Sequence, residues 1–307
     1  MSARASADSG DVPGIDPGGT RAVTGLSALL ERYDGFIVDQ WGVLHDGVTA
    51  YPGAVDCLRR LRKAGKHVVV LSNSGKREAE NIRQMQRLGF DSALFDRFIG
   101  AGEDARAAIM ARKSEFHRTL GARCFAFTRD GDHTLIDDIG LEIVKSVQAA
   151  DFLAVIGIDS PQRNLVDYEA ELQAGIARAL PLICANPDLV RVSPQGTVEA
   201  PGVLAQRYQA LGGRVFYHGK PYPAIYRSCL EAMPQCEKER VVAIGDSMEH
   251  DVLGAARAGL PSVFVAGGIH ADELVGRWGA MPTPERWRDF VAGAAIKPDY
   301  LLPALVW

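Results

Sequence analysis

The chain has 307 residues, enough for one large or two ordinary domains, and its 47% hydrophobic and 23% charged content is that of a globular protein with a sizeable core. Lys and Arg total 34 against 38 Asp and Glu, a net charge of −4 with no basic block, which argues against a nucleic-acid partner. No run of eighteen apolar residues occurs, so no membrane span is expected, and five cysteines without a CxxC pair read as reduced thiols of a cytoplasmic protein.

Residues 1–24 are rich in Gly, Ser, Asp and Pro and lack the apolar stretch of a signal peptide. They are expected to form a disordered leader, because they offer little apolar surface to offset the entropy of ordering. Five short apolar runs follow along the chain. They are Phe36-Ile37-Val38, Val68-Val69-Val70-Leu71, Val215-Phe216-Tyr217, Val241-Val242-Ala243-Ile244 and Ser262-Val263-Phe264-Val265. Continuous rather than alternating, they predict strands buried on both faces of a parallel sheet. Helices are expected between them. One spans Ala54 to Lys63 and stops at Gly65, one starts near Ser74 and stops at Gly89, and one runs from Met248 to Ala258 and stops at Gly259. Strand, helix, strand in this order predicts a doubly wound α/β domain.

Function in such a domain lies beyond the carboxyl ends of the strands. The apolar runs lead there to Asp39, Ser72, Lys220 and the pair Gly245-Asp246, which supply two anions, a hydroxyl and a cation. Between the second and third runs lies a stretch too long for a connection. It carries its own strand signals, Cys124–Phe127, Phe152–Ile156 and Leu182–Ala185, with an amphipathic segment from Tyr168 to Ala179. The expected partition is a core of residues 25–99 and 215–307 with an inserted α/β cap of residues 100–214 that closes over the core and selects the substrate.

Asp39-Gln40-Trp41-Gly42-Val43-Leu44, Ser72-Asn73, Gly219-Lys220-Pro221 and Gly245-Asp246-Ser247-Met248-Glu249-His250-Asp251 resemble, in order, the four motifs of the haloacid dehalogenase-like (HAD) hydrolases. The insertion between the second and third motifs, with Ala185-Asn186-Pro187-Asp188 near its end, is similar to subfamily IIA, the NagD-like sugar and nucleotide phosphatases with a type C2 cap. The resemblance implies a Rossmann-like core and a Mg²⁺-dependent phosphatase acting on a small phosphorylated metabolite, with a homodimer formed through the cap. It implies Asp39 as nucleophile and Mg²⁺ held by the Asp39 carboxylate, the Trp41 backbone carbonyl and Asp246, with Asp251 holding metal-bound water or Lys220. Ser72 and Lys220 would then bind the phosphoryl group beside Asn73, and Asn186 and Asp188 would contact the substrate.

One position departs from the family pattern. Trp41 stands two residues after the nucleophile, where family phosphatases carry an aspartate that protonates the leaving oxygen. That role is worth about 10² to 10⁴ in rate. Three explanations fit: His45, Asp46 or a cap residue brought in on closure substitutes, the leaving group needs no acid, or the chain binds a phosphorylated ligand without turnover. The dehalogenases of the superfamily carry an aromatic residue at this place, but they need no cation-binding pair such as Asp246 and Asp251.

Overall fold

A computed structural model describes residues 19–193 and 196–307. In chain order the strands are β1 (Arg21–Ala22), β2 (Gly35–Asp39), β3 (His67–Ser72), β4 (Arg97–Gly100), β5 (Arg123–Phe127), β6 (Glu142–Ile143) and β7 (Phe152–Val155). They continue with β8 (Leu182–Cys184), β9 (Val190–Ser193), β10 (Gly196–Glu199), β11 (Val215–Tyr217), β12 (Val241–Gly245), β13 (Ser262–Val265) and β14 (Tyr300–Leu302). Seven form a parallel sheet in the order β1-β14-β13-β12-β2-β3-β4. Five form a second parallel sheet, β11-β8-β7-β5-β6, whose strands fall between β4 and β12 in the chain. The pair β9–β10 is a small antiparallel hairpin.

The apolar runs build the seven-stranded sheet by sending alternate residues to opposite faces. Phe36, Val38, Val68, Val70, Val242 and Ile244 pack on one side with Leu58 and Leu61 of the helix Ala54–Lys63. Ile37, Val69, Leu71, Val241 and Ala243 pack on the other with Ile225 and Tyr226 of the helix Pro223–Glu231. Burial on both faces is why these runs show no polar alternation. From β2 the chain order proceeds outward through β3 and β4 on one flank and through β12, β13 and β14 on the other. The β2/β12 junction is therefore the switch point at which ligands of such sheets bind.

The structure departs from the expected elements in four places. Val215-Phe216-Tyr217 is a strand, but β11 pairs with β8 in the second sheet instead of joining the core. All three of its residues are half-buried, and a run of three apolar residues carries no information about which sheet it joins. Strands β4 and β14 complete the core sheet without having been expected. The helix anticipated from Ser74 begins at Glu78, because the chain after Ser72 first crosses the strand ends as an open loop. Of the leader, residues 1–18 lie outside the described residues, but Arg21–Ala22 pairs with Tyr300–Leu301 and the buried Thr20 hydroxyl donates to the Pro298 carbonyl at 2.8 Å. Among the described residues no helix is long and apolar enough to cross a membrane.

Candidate active site at the facing sheet edges

The carboxylate of Asp39 emerges at the end of β2 and is almost fully buried. The Lys220 ammonium donates to Asp39 Oδ1 at 2.5 Å and to Asp251 Oδ1 at 2.7 Å. The other Asp251 oxygen accepts from the Ser247 backbone N–H at 3.1 Å, and Asp246 Oδ2 accepts from the Ile269 N–H at 2.7 Å. Carboxylate oxygens of Asp39, Asp246 and Asp251 lie within 4.8 Å of one another. Gly42 makes this approach feasible. Its φ is +79°, and a Cβ there would stand 1.9 Å from Asp246 Oδ2.

Three buried carboxylates against one lysine leave excess negative charge. Burial raises the pKa of Asp39 well above the carboxylate range; Lys220 opposes this, and Asp251 and Asp246 add to it. Burial and then Asp251 push Asp246 up to about 7. Burial works against the charge on Lys220, but Asp251 and Asp39 outweigh it and hold its pKa well above the ordinary lysine value. A cluster of this kind takes up either a proton or a cation.

The remaining expected residues form one network around the lysine. Asn73 Oδ1 accepts from the Lys220 backbone N–H at 2.7 Å, and Asn73 Nδ2 donates to Asp188 Oδ1 at 2.8 Å. Gly219, at φ +98°, passes so close that a Cβ would stand 2.5 Å from Asn73 Oδ1. Ser72 is buried, and its hydroxyl accepts from the Ser74 N–H at 3.2 Å. Asn186 Oδ1 accepts from the Asp188 N–H at 3.1 Å, so Asn186-Pro187-Asp188 is a side-chain-stabilised turn, with Asp188 held against the core through Asn73.

These side chains wall a cavity of about 420 Å³ between the two parallel sheets. The loops after β2, β3, β12 and β13 contribute from one side. Those after β5, β7 and β8 contribute from the other, so both sheets present their carboxyl ends to the same space. A larger cavity of about 610 Å³ lies elsewhere, walled by Ala107, Ala108, His117, Phe216 and His218, and holds none of the three clustered carboxylates.

His45 and Asp46, expected as substitutes for the missing acid, are both off the wall of the active cavity. His45 is fully buried, with its ring edge-on to Trp41 at 5.0 Å and near Phe90; its Nδ1 accepts from the Gly47 N–H at 3.0 Å. Burial lowers its pKa to about 4, so at neutral pH it has no proton to give beyond that of the neutral ring. Asp46 folds back on its own turn, accepting from the Val48 and Thr49 N–H groups at 2.8 and 2.7 Å. Burial raises its pKa, and these backbone donors outweigh burial and carry it below the usual value. Trp41 itself does line the cavity.

Sequence reasoning did not single out Arg129, Arg191 or His250, which also line it. Arg129 follows the end of β5 by two residues, the same strand-end signal that marked Asp39, but the motif reading stopped at the core strands.

A parallel α/β sheet with a carboxylate cluster and a lysine at its switch point, faced by a second inserted α/β sheet, defines a capped hydrolase of the HAD fold. Two family models match, described as haloacid dehalogenase-like hydrolase over residues 36–142 and HAD-hydrolase-like over residues 217–303. The ribonucleotide monophosphatase NagD of Escherichia coli is 30% identical over 243 residues, covering 76% of this chain and 87% of that protein. Human chronophin is 25% identical over 256 residues, covering 80% and 84%. A dihydroxyacetone phosphatase of Corynebacterium glutamicum is 40% identical, but over 102 residues, covering 33% of this chain and 37% of the relative. A crystal structure of a haloacid dehalogenase-like hydrolase from Brucella suis superposes with a TM-score of 0.78 at 30% identity, covering 92% of this chain and 99% of that one. The chain belongs to the haloacid dehalogenase-like hydrolases, in the NagD-like subfamily IIA.

Proposed function

We propose that this chain, a phosphoric monoester hydrolase of that family, hydrolyses a small phosphorylated metabolite with Mg²⁺ as its cation. The observation that carries this reading is the convergence of Asp39, Asp246 and Asp251 oxygens within 4.8 Å around a single lysine. That donor set fits Mg²⁺, because all the side-chain ligands are hard oxygens and their net charge calls for a divalent ion. Asp39, Asp246 and the Trp41 backbone carbonyl would hold it, with Asp251 behind. Bound there, the ion supplies neutralisation of the phosphoryl charge.

The protein groups account for the remaining chemistry. One Asp39 oxygen attacks phosphorus and the ester P–O bond breaks, giving an aspartyl-phosphate and an alkoxide that takes its proton from solvent. Lys220 screens the approaching anions, and the Ser72 hydroxyl and the Asn73 backbone N–H bind phosphoryl oxygens. Water then attacks that phosphorus, releasing phosphate and restoring the carboxylate. With Trp41 in the acid's place, and with His45 and Asp46 off the wall, turnover depends on the leaving group's own basicity. A cavity of about 420 Å³ suits a sugar phosphate or a nucleotide-like ester. NagD and the dihydroxyacetone phosphatase bear names that fit substrates of this size.

The test is turnover of an aryl phosphate with and without Mg²⁺, repeated for Asp39→Asn. Metal-dependent turnover that the substitution abolishes is expected. Binding of phosphate esters without turnover, across a broad metabolite panel, would establish a phospho-ligand binder instead.

A further inference from the structure

Resting on the phosphatase reading, the geometry points to a substrate with a second anionic group, received by Arg129 and Arg191 on the second-sheet side of the cavity. Both arginines wall the same space as Asp39 and Lys220. The Arg191 guanidinium is fixed by donating from Nη2 to the Ser160 carbonyl at 2.6 Å, which leaves most of its five N–H donors for another partner. Among the described residues no carboxylate pairs with it. Arg129 has one ion pair, to Asp130 at 3.8 Å, and that carboxylate is 88% exposed, so the pair contributes little.

The two cations also sense each other: burial and then the charge of Arg129 lower the pKa of Arg191. Arg191 is half-buried and Arg129 half-exposed, so solvent screens part of this repulsion and an anion joining the two relieves the rest. Of the acids on the same wall outside the carboxylate cluster, Asp132 accepts from the Thr134 N–H and hydroxyl at 2.9 and 2.7 Å, Asp188 is held by Asn73, and Glu249 accepts from the Ser247 hydroxyl at 3.4 Å. The cation Lys76 is paired with Glu80. Leu135, Ile156, Ile158 and Leu189 complete the wall with apolar surface. The cavity thus has two anion-seeking sites, and a substrate matching both is a phosphate monoester whose carbon skeleton carries a carboxylate or a second phosphate. Arginine suits either group, since its planar fork pairs with both in bidentate fashion.

The experiment compares kcat/KM for phosphate monoesters of similar size whose far end is a hydroxyl, a carboxylate or a phosphate, at several chain lengths. Wild-type protein is expected to prefer one of the anionic series, and the series preferred identifies the group. In Arg191→Met and Arg129→Met the ratio of anionic to neutral substrate should fall roughly 10- to 100-fold, the scale of a lost charge-assisted hydrogen bond. Arg191→Lys should recover part of it. Preference for the neutral series, or an equal fall for all three, overturns the proposal. Binding of the same esters to Asp39→Asn protein supplies a second readout. Arginine-dependent binding of the anionic esters without wild-type turnover would remove the phosphatase reading and keep the anion site.

Discussion

The Lys220 ammonium lies 2.5 Å from the Asp39 carboxylate, although 181 residues separate them in the chain. The contact closes the sheet's switch point: β2 delivers the acid, and the segment returning from the second sheet delivers the base.

Removing the lysine should therefore expose a charge imbalance. Lys220→Met leaves Asp39 and Asp251 buried without their cation, and breaking a buried pair from one side costs about 3–5 kcal/mol. Denaturant unfolding in EDTA should show a loss of that order, and millimolar Mg²⁺ should restore part of it. A loss of the same size in both buffers would mean that the cluster does not bind the ion.

Gly42 gives a sharper probe of the same cluster. Alanine there places a methyl 1.9 Å from Asp246 Oδ2 at a φ of +79°, so either the carboxylate or the loop must move. Wild-type protein should gain about 2.7 kcal/mol of stability at a Mg²⁺ concentration of 100 Kd. Gly42→Ala should lose most of that gain, together with at least about tenfold in turnover. A calorimetric titration showing unchanged Mg²⁺ affinity in the variant would refute the steric argument.

Asp39, Ser72 and Asp246 were legible in the sequence because continuous apolar runs end abruptly in polar residues, and a buried parallel strand has few other reasons to end that way, whereas Lys220 was found although the run before it joins the other sheet. The placement of β11 was not legible, because three apolar residues do not specify a sheet. Arg129 and Arg191 escaped for a related reason. Arginine at a strand end is ordinary on a surface, and only the facing of two sheets turns that surface into a cavity wall. His45 misled in the opposite sense: its position just past the first motif suggested chemistry, while the fold directs its ring into the core beside Phe90.

That burial makes His45 a source of acid sensitivity. Its pKa falls from 6.5 to about 4 on folding, so between those values the unfolded chain binds the proton and the native one does not. The stability it contributes is complete above pH 6.5, declines as pH drops, and is exhausted near pH 4. About 3 kcal/mol is at stake. Wild type should lose that much more stability than His45→Asn between pH 7 and 4.5, measured by urea unfolding. Parallel losses in the two proteins would rule this histidine out as the cause.

On the proposed mechanism, Trp41 sets the chemical ceiling of the site. Its ring stands edge-on to His45 and close over Gly47, where a Cβ would come within 2.3 Å of it, so the indole fills the space beside the loop after β2. Without an acid at this position, wild-type turnover should fall steeply from nitrophenyl phosphate to alkyl phosphates. Trp41→Asp returns a carboxyl group to the cavity wall, where the family pattern places its proton donor. The ratio of alkyl to nitrophenyl turnover should rise by about 10- to 100-fold, within the range of general acid catalysis, even if packing losses lower the melting temperature. A flat leaving-group dependence in the wild type, with an unaltered ratio in the variant, would assign proton donation to another group on the cavity wall.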